Sequence, residues 1–166
     1  MKIPIIYGVG KDITELSAFD KALEEAGISN LNLIKLSSII PKEAVIFEEK
    51  PNIPEKFYGC KGFVVLSKAI ATTHHLEAWA GIGWVYDYTE RKGFFVEHAA
   101  ATEEKVKSLI KKSVESMKEW RKEAKFKPSY KLAGAVCNEN PVYAIVCFTL
   151  HSGIKDCDYN FNLYYL

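Results

Sequence analysis

Residues 26–41 read AGISNLNLIKLSSIIP and contain the most informative change of pattern in the chain. Gly27 is a favourable residue for ending a helix because it adopts the left-handed conformation without steric cost. The Leu- and Ile-rich segment that follows is typical of a β-strand, and it stops at Ser37-Ser38. Pro41 then favours a turn or a sheet edge. The stretch therefore predicts the end of a helix, a strand, and a serine pair where the strand gives way to a loop.

The residues upstream of Gly27 predict the helix itself and a strand before it. Either Thr14 or Ser17 is suited to cap the helix. Ile3 to Tyr7 predicts a short strand, and we interpret Gly8-Val9-Gly10 as the turn after it. The apolar residues at helical spacing are Leu16, Phe19, Leu23 and Ala26.

Downstream of the proline the pattern is mostly β. A long amphipathic helix starts after Thr102, a suitable N-cap, with Glu103 and Glu104 at the positive end of the helix dipole. Because helices and strands do not alternate regularly, we predict an α+β fold with mixed or antiparallel sheets and packed helices. The predicted strands cover residues 44–47, 62–66, 78–88, 93–99, 133–136 and 142–150.

The composition indicates one compact domain, 1–166, with no obvious charged partner. A hydrophobic share of 48% is ample for a packed core. The 22 basic and 21 acidic residues nearly cancel, so we expect neither nucleic acid nor an anionic membrane as a partner. The sequence has no signal-peptide pattern and no run of about 18 apolar residues, and we expect a cytoplasmic location.

The four cysteines form no Cys-x-x-Cys pair, so a zinc ribbon or a thioredoxin-type centre is not indicated. We expect Cys137 and Cys147 to be small, reduced core residues. A disulfide between Cys147 and Cys157 remains an open alternative.

Several motifs surround the serine pair in a fixed order. Ala18-Phe19-Asp20-Lys21-Ala22-Leu23 precedes Ala26-Gly27-Ile28, and a strand containing Asn32 then leads to Ser37-Ser38 before a proline. In this combination the sequence resembles the pyruvoyl-dependent arginine decarboxylases, over roughly residues 3–150. A serine pair before a proline would mean nothing alone; the order of the motifs carries the resemblance.

The resemblance implies that the chain cleaves itself between Ser37 and Ser38. The Ser38 hydroxyl would attack the carbonyl of Ser37, and elimination would leave a small chain, 1–37, and a large chain, 38–166. Ser38 would become a covalent pyruvoyl cofactor that forms a Schiff base with an amino acid and accepts electrons during decarboxylation. The expected reaction converts arginine to agmatine and carbon dioxide, in polyamine biosynthesis or acid resistance. The alternative for the pair is an ordinary strand-to-loop junction.

The resemblance also assigns roles to three further residues. Glu97, in Gly93-Phe94-Phe95-Val96-Glu97-His98, would return a proton to the substrate, with His98 as a companion. Asp20 would bind the guanidinium group with paired hydrogen bonds. Asn32 would orient a group near the cleavage site. Without the resemblance, these three would be ordinary polar residues of a strand end, a helix face and a strand edge.

The family architecture is a four-layer αββα sandwich, assembled as a homotrimer or hexamer with active sites between subunits, and the resemblance implies the same here. Two segments depart from the family pattern. Family members carry a glycine-rich turn that includes an acidic residue, and this chain has the segment 69–77 in its place. The change would alter a pocket wall or a subunit contact. The aromatic tail, 152–166, extends past the likeness and suits a docking strand or a subunit contact.

Three rival interpretations stay open. A decarboxylase of lysine, ornithine or histidine would use the same chemistry, and a non-processing assembly paralogue would use none of it. The joint presence of Ser38, Glu97, Asp20 and Asn32 favours an enzyme over the paralogue. A metal site at His74-His75-x-Glu77 is weakly indicated, because no third cluster supports it, and we expect no metal.

Overall fold

The computed structural model describes residues 2–121 and 128–150, which contain two α-helices and nine β-strands. This mixture confirms the predicted α+β class. The expected tail, 152–166, lies outside the described residues. The elements are β1 Lys2–Lys11, α1 Glu15–Ala26, β2 Asn32–Lys35, β3 Ile39–Ile40, β4 Val45–Glu48, β5 Lys61–Ala71, β6 Glu77–Asp87, β7 Lys92–Ala100, α2 Glu103–Arg121, β8 Ser129–Val136 and β9 Val142–Leu150.

The strands form two sheets. The first sheet has the order β2-β5-β9-β1-β4 and is mixed, because β2 runs parallel to β5 and β4 runs parallel to β1. The second sheet has the order β3-β7-β6-β8 and is antiparallel throughout. The prediction of mixed or antiparallel pairing is therefore confirmed.

Helix α1 has the predicted caps. Thr14 accepts a hydrogen bond from the Ser17 backbone N–H in a capping box, and Gly27 ends the helix with a left-handed φ of 81°. The predicted apolar stripe is wrong at one position, since Leu16 is 77% exposed. The buried residues of the helix are Ala18, Ala22, Leu23 and Ala26.

Gly8 and Gly10 lie inside β1, so the predicted turn at residues 8–10 is wrong. A Cβ atom on Gly10 would lie 2.0 Å from the Ala18 carbonyl oxygen, and one on Gly8 would lie 2.1 Å from that of Ala22. The glycines therefore serve the close approach of α1 to the strand rather than a change of chain direction.

Three buried clusters form the core. One contains residues of both sheets and is called the shared cluster; a second joins α1 to the first sheet, and a third joins α2 to the second sheet. No helix in the described part of the chain is long and apolar enough to cross a membrane. Central members of the three clusters are, respectively, Ile3, Val65, Ile82 and Phe95; Ile6, Ala22, Ile28 and Ile145; and Phe94, Val106, Ile110 and Val114.

Strand β3 was not predicted, because two residues are too few to show a periodic pattern. It pairs with β7 through Ile39 opposite Phe94 and Ile40 opposite Gly93. The preceding strand, β2, belongs to the first sheet. The chain therefore crosses from one sheet to the other between residues 35 and 39.

Cys137 and Cys147 are buried and free, as predicted. The alternative disulfide between Cys147 and Cys157 is accordingly wrong. Burial raises the pKa of the Cys147 thiol, which keeps it in its unreactive protonated form.

Candidate active site

The Ser37-Ser38 pair links the two sheets. Just before it, the Leu36 backbone N–H donates to the Val64 carbonyl of the first sheet at 2.8 Å. Just after it, the Phe95 backbone N–H of the second sheet donates to the Ser38 carbonyl at 2.8 Å. Both sides of the Ser37–Ser38 peptide bond are thus anchored, each to a different sheet.

Ser38 occupies the centre of a tight turn. The Ile39 backbone N–H donates to the Ser37 carbonyl oxygen at 3.1 Å, which closes a three-residue turn. Ser37 is exposed and Ser38 is half-buried. The donor polarises the carbonyl group that precedes Ser38, and this makes its carbon more susceptible to a nucleophile.

The Ser38 hydroxyl donates a hydrogen bond to Glu97 Oε1 at 2.7 Å, across 59 positions of sequence. Strand alternation places Glu97 on the same face of β7 as Phe95, and it lies opposite Ile82 on β6. Phe95 and Ile82 both belong to the shared cluster, so Glu97 faces the first sheet from the second. The pair has the arrangement of a hydroxyl nucleophile and a proton acceptor.

His98 points to the opposite face of β7 from Glu97. Its Nε2 atom lies 2.7 Å from Ser113 Oγ on α2. Partial burial lowers the pKa of His98, and the charge of the neighbouring Glu97 opposes that shift. The structure therefore separates His98 from the Ser38 hydroxyl, although His98 directly follows Glu97 in the sequence.

Ser67 is a further polar residue beside Glu97, and sequence reasoning missed it. Its hydroxyl donates to the His98 carbonyl at 2.6 Å and accepts the Gly81 backbone N–H at 3.2 Å. The predicted strand ended at residue 66, whereas β5 continues to Ala71. A single serine facing inward along an apolar strand was the available signal.

Asp20 and Asn32 lie on other elements than Glu97: Asp20 is on α1 and Asn32 on β2 of the first sheet, whereas Glu97 is on β7 of the second. Asp20 is exposed on α1, which packs on the first sheet. Asn32 begins β2, and its amide donates to the Gly59 carbonyl at 2.5 Å. Six positions of extended chain place Asn32 up to about 20 Å from Ser38.

The His74-His75-x-Glu77 motif lies at the turn between β5 and β6. The two imidazole rings are 3.7 Å apart by their centroids, and the Glu77 carboxylate accepts the Trp79 indole N–H at 2.5 Å. Within residues 2–121 and 128–150, no group of three or more His, Cys, Asp or Glu side chains is arranged to hold a metal ion.

The segment 69–77 forms the end of β5, this turn and the start of β6. Together with Ala99–Ala101 it lines an open cavity of about 350 Å³. Ala99 lies two positions beyond Glu97 on the same face of β7, so the segment that departs from the expected pattern borders the region of the Ser38–Glu97 pair.

Comparison with known proteins gives a consistent set of similarities. The family model described as pyruvoyl-dependent arginine decarboxylase matches residues 2–147. A pyruvoyl-dependent arginine decarboxylase of Methanopyrus kandleri is 34% identical over 132 residues, which cover 74% of this chain and 77% of that protein. One of Methanocella arvoryzae is 30% identical over 127 residues, covering 74% and 76%. One of Methanothermobacter thermautotrophicus is 43% identical over 60 residues, covering 36% and 40%.

Proposed function

The chain belongs to the pyruvoyl-dependent arginine decarboxylase family, whose cofactor is a covalent pyruvoyl group formed from a serine, and we propose that Ser38 is this serine. The protein is a carboxy-lyase that converts arginine to agmatine and carbon dioxide. The observation that supports Ser38 most directly is its hydrogen bond to Glu97, at a peptide bond anchored to both sheets.

The residues around Ser38 fit the cofactor. Ser38 is half-buried, its hydroxyl has a carboxylate partner, and its own carbonyl oxygen accepts the Phe95 N–H. These contacts would keep the new N-terminus of the large chain on β7 after cleavage. When present, the pyruvoyl group supplies an electron sink for decarboxylation.

Self-cleavage begins with proton transfer from Ser38 Oγ to Glu97. The oxygen bonds to the carbonyl carbon of Ser37, the peptide C–N bond breaks, and an ester replaces the amide. The Ile39 N–H stabilises the negative charge that develops on the Ser37 oxygen. Loss of the Ser38 α-proton then breaks the Cβ–Oγ bond and releases 1–37 from 38–166. Water displaces ammonia from the remaining dehydroalanine.

Glu97 also serves the second reaction. It returns a proton to the substrate carbon after carbon dioxide leaves, because it lies beside the residue at which the substrate is held. Asp20 binds the guanidinium group with two parallel hydrogen bonds. Asn32, held by the Gly59 carbonyl, orients a polar group of the substrate.

The proposed architecture is the four-layer αββα sandwich, assembled as a homotrimer or hexamer. The three buried clusters support this layer order, since one joins the sheets and each of the others joins one helix to one sheet. Asp20 lies on the α1 side of the first sheet, while Glu97 faces the shared cluster. A neighbouring subunit therefore supplies Asp20 to each site.

The test of this function compares the wild type with Ser38→Ala on a denaturing gel and by mass spectrometry. The wild type should give pieces 1–37 and 38–166, the larger with a blocked N-terminus, and Ser38→Ala should stay intact. Ser37→Ala is the matched control: it keeps the attacked carbonyl and should still cleave. An intact wild-type chain would overturn the proposal and favour a non-processing paralogue.

The substrate is tested by carbon dioxide release from arginine, lysine, ornithine and histidine in parallel. Arginine should be preferred, because a lysine or ornithine ammonium group cannot match the paired hydrogen bonds of a guanidinium. Equal or faster turnover of another amino acid would reassign the substrate and remove Asp20 from its role as a guanidinium ligand.

A further inference from the structure

Ser67 connects the two sheets beside the proposed catalytic carboxylate. It is 4% exposed and lies on β5 of the first sheet. Its hydroxyl nevertheless bonds to the backbone of the second sheet, donating to the His98 carbonyl at 2.6 Å and accepting the Gly81 N–H at 3.2 Å. A buried hydroxyl with both functions satisfied is a stable feature of a core.

The two backbone groups that Ser67 contacts belong to neighbouring strands of the second sheet. Gly81 on β6 and His98 on β7 are direct partners in the strand register. The side-chain positions of both residues point away from the first sheet. His98 reaches Ser113 on α2, and a Cβ atom on Gly81 would lie 2.6 Å from Val106 Cγ1, also on α2. On the side that faces the first sheet, this residue pair therefore presents only backbone atoms, and Ser67 covers them.

The pair of Gly81 and His98 adjoins Glu97. On β7, Glu97 lies between Val96, which pairs with Gly83, and His98, which pairs with Gly81. Ser67 holds the pair of His98 and Gly81 in place relative to the first sheet. β2, which leads into Ser38, belongs to the first sheet, and β7, which carries Glu97, belongs to the second. The Ser67 contact therefore links the two sheets that position the reacting side chains.

We infer that Ser67 is a positioning residue that holds Glu97 at hydrogen-bond distance from Ser38. The inference rests on the proposed function, since it concerns the same pair. The other buried polar residue among those described, Asp87, accepts hydrogen bonds only from Thr89 and Glu90 in its own turn. Ser67 differs because its bonds cross between the sheets at the reacting pair.

The experiment compares Ser67→Ala with Val65→Ala, a buried position of the shared cluster on the same strand and face. In Ser67→Ala, the rate of self-cleavage and kcat per cleaved subunit should each fall about 10-fold, because small displacements of a proton-transfer group are costly. The KM for arginine should stay within about twofold. Val65→Ala should lower the unfolding temperature comparably and leave both rates near the wild type.

Two further variants separate positioning from stability. Ser67→Thr retains the hydroxyl and should recover most of both rates, whereas the nearly isosteric Ser67→Cys should not. In a Glu97→Gln background, Ser67→Ala should change kcat by less than about twofold, because its effect passes through the residue already altered.

The outcomes distinguish the inference from its premise. If the wild type neither cleaves nor releases carbon dioxide, the proposed function fails, and the role of Ser67 fails with it. If the wild type is active and Ser67→Ala matches Val65→Ala in both rates, the proposed function stands and Ser67 is only a packing residue. A full additional loss in the Glu97→Gln background would likewise overturn the role assigned to Ser67.

Discussion

At the scale of single residues, the hydrogen bond between Ser38 and Glu97 places one carboxylate where the proposed function needs two proton transfers. A hydroxyl that attacks an amide must lose its proton, and a carbanion left by decarboxylation must gain one. Glu97 Oε1 is 2.7 Å from Ser38 Oγ, so the same side chain reaches the residue proposed to react in both reactions. The two reactions should therefore fail together when the carboxylate is replaced.

Glu97→Gln keeps the size of the side chain and removes its basicity. We expect self-cleavage and kcat per cleaved subunit to fall at least about 100-fold each, the usual size of a general acid–base contribution. The measurements are the time course of cleavage on gels and the initial rate of carbon dioxide release. Glu103→Gln, in the first turn of α2, is the control and should match the wild type. Cleavage of Glu97→Gln at the wild-type rate would remove Glu97 from the first reaction.

His98 should affect stability in acid rather than catalysis. Its pKa is lowered from 6.5 by burial, so the unfolded chain binds more protons than the folded protein just below that pH. The stabilising contribution of neutral His98 is therefore complete above pH 6.5 and declines as the pH falls below it. His98→Gln should flatten this part of the curve of unfolding free energy against pH, measured with urea, and leave kcat near the wild type. An unchanged curve would contradict the assignment.

At the scale of elements, the caps of α1 were predictable and the route of β1 was not. Thr14 and Gly27 act through local backbone geometry, which sequence shows directly. The glycines of β1 predict a turn when only the sequence is considered, because the helix that approaches them is a tertiary feature. Strand β3 escaped prediction for a related reason: its two residues are extended only because β7 pairs with them.

Gly10→Ala tests the close approach of α1 to β1. The added methyl would lie 2.0 Å from the Ala18 carbonyl, a rigid backbone atom, so the helix must move. We expect a loss of about 3 kcal/mol in the free energy of unfolding, as for overpacked cores. Urea denaturation provides the measurement, and Lys11→Ala, at an exposed position on the same strand, is the control. A loss no larger than that of Lys11→Ala would contradict the packing argument.

At the scale of the whole molecule, the sequence and its family resemblance indicate Ser38 and Glu97 as candidates but do not show that they lie together. Their contact depends on how β3 and β7 pair, and no local pattern encodes that register. Ser67 was missed because a serine in an apolar strand shows its partners only when the second sheet is present. Asp20 and Asn32 came from the resemblance, and the role proposed for Asp20 requires the proposed assembly of several chains.

The proposed sharing of active sites between subunits makes a sharp prediction for mixed oligomers. Asp20→Ala alone should cleave normally but bind arginine weakly, and Glu97→Gln alone should turn over slowly. When the two variants are combined in one oligomer, a site with Glu97 from one subunit and Asp20 from its neighbour is again complete. Random mixing in a closed ring restores about a quarter of all sites, and about a third of the sites in trimers that contain both variants. Coexpression of the two variants with different tags, followed by purification on both tags, isolates the mixed oligomers. Activity well above that of either variant would show that neighbouring subunits share the site. If the mixed oligomers instead had the average activity of the two parents, Asp20 would have to act within its own chain, across the first sheet from Glu97.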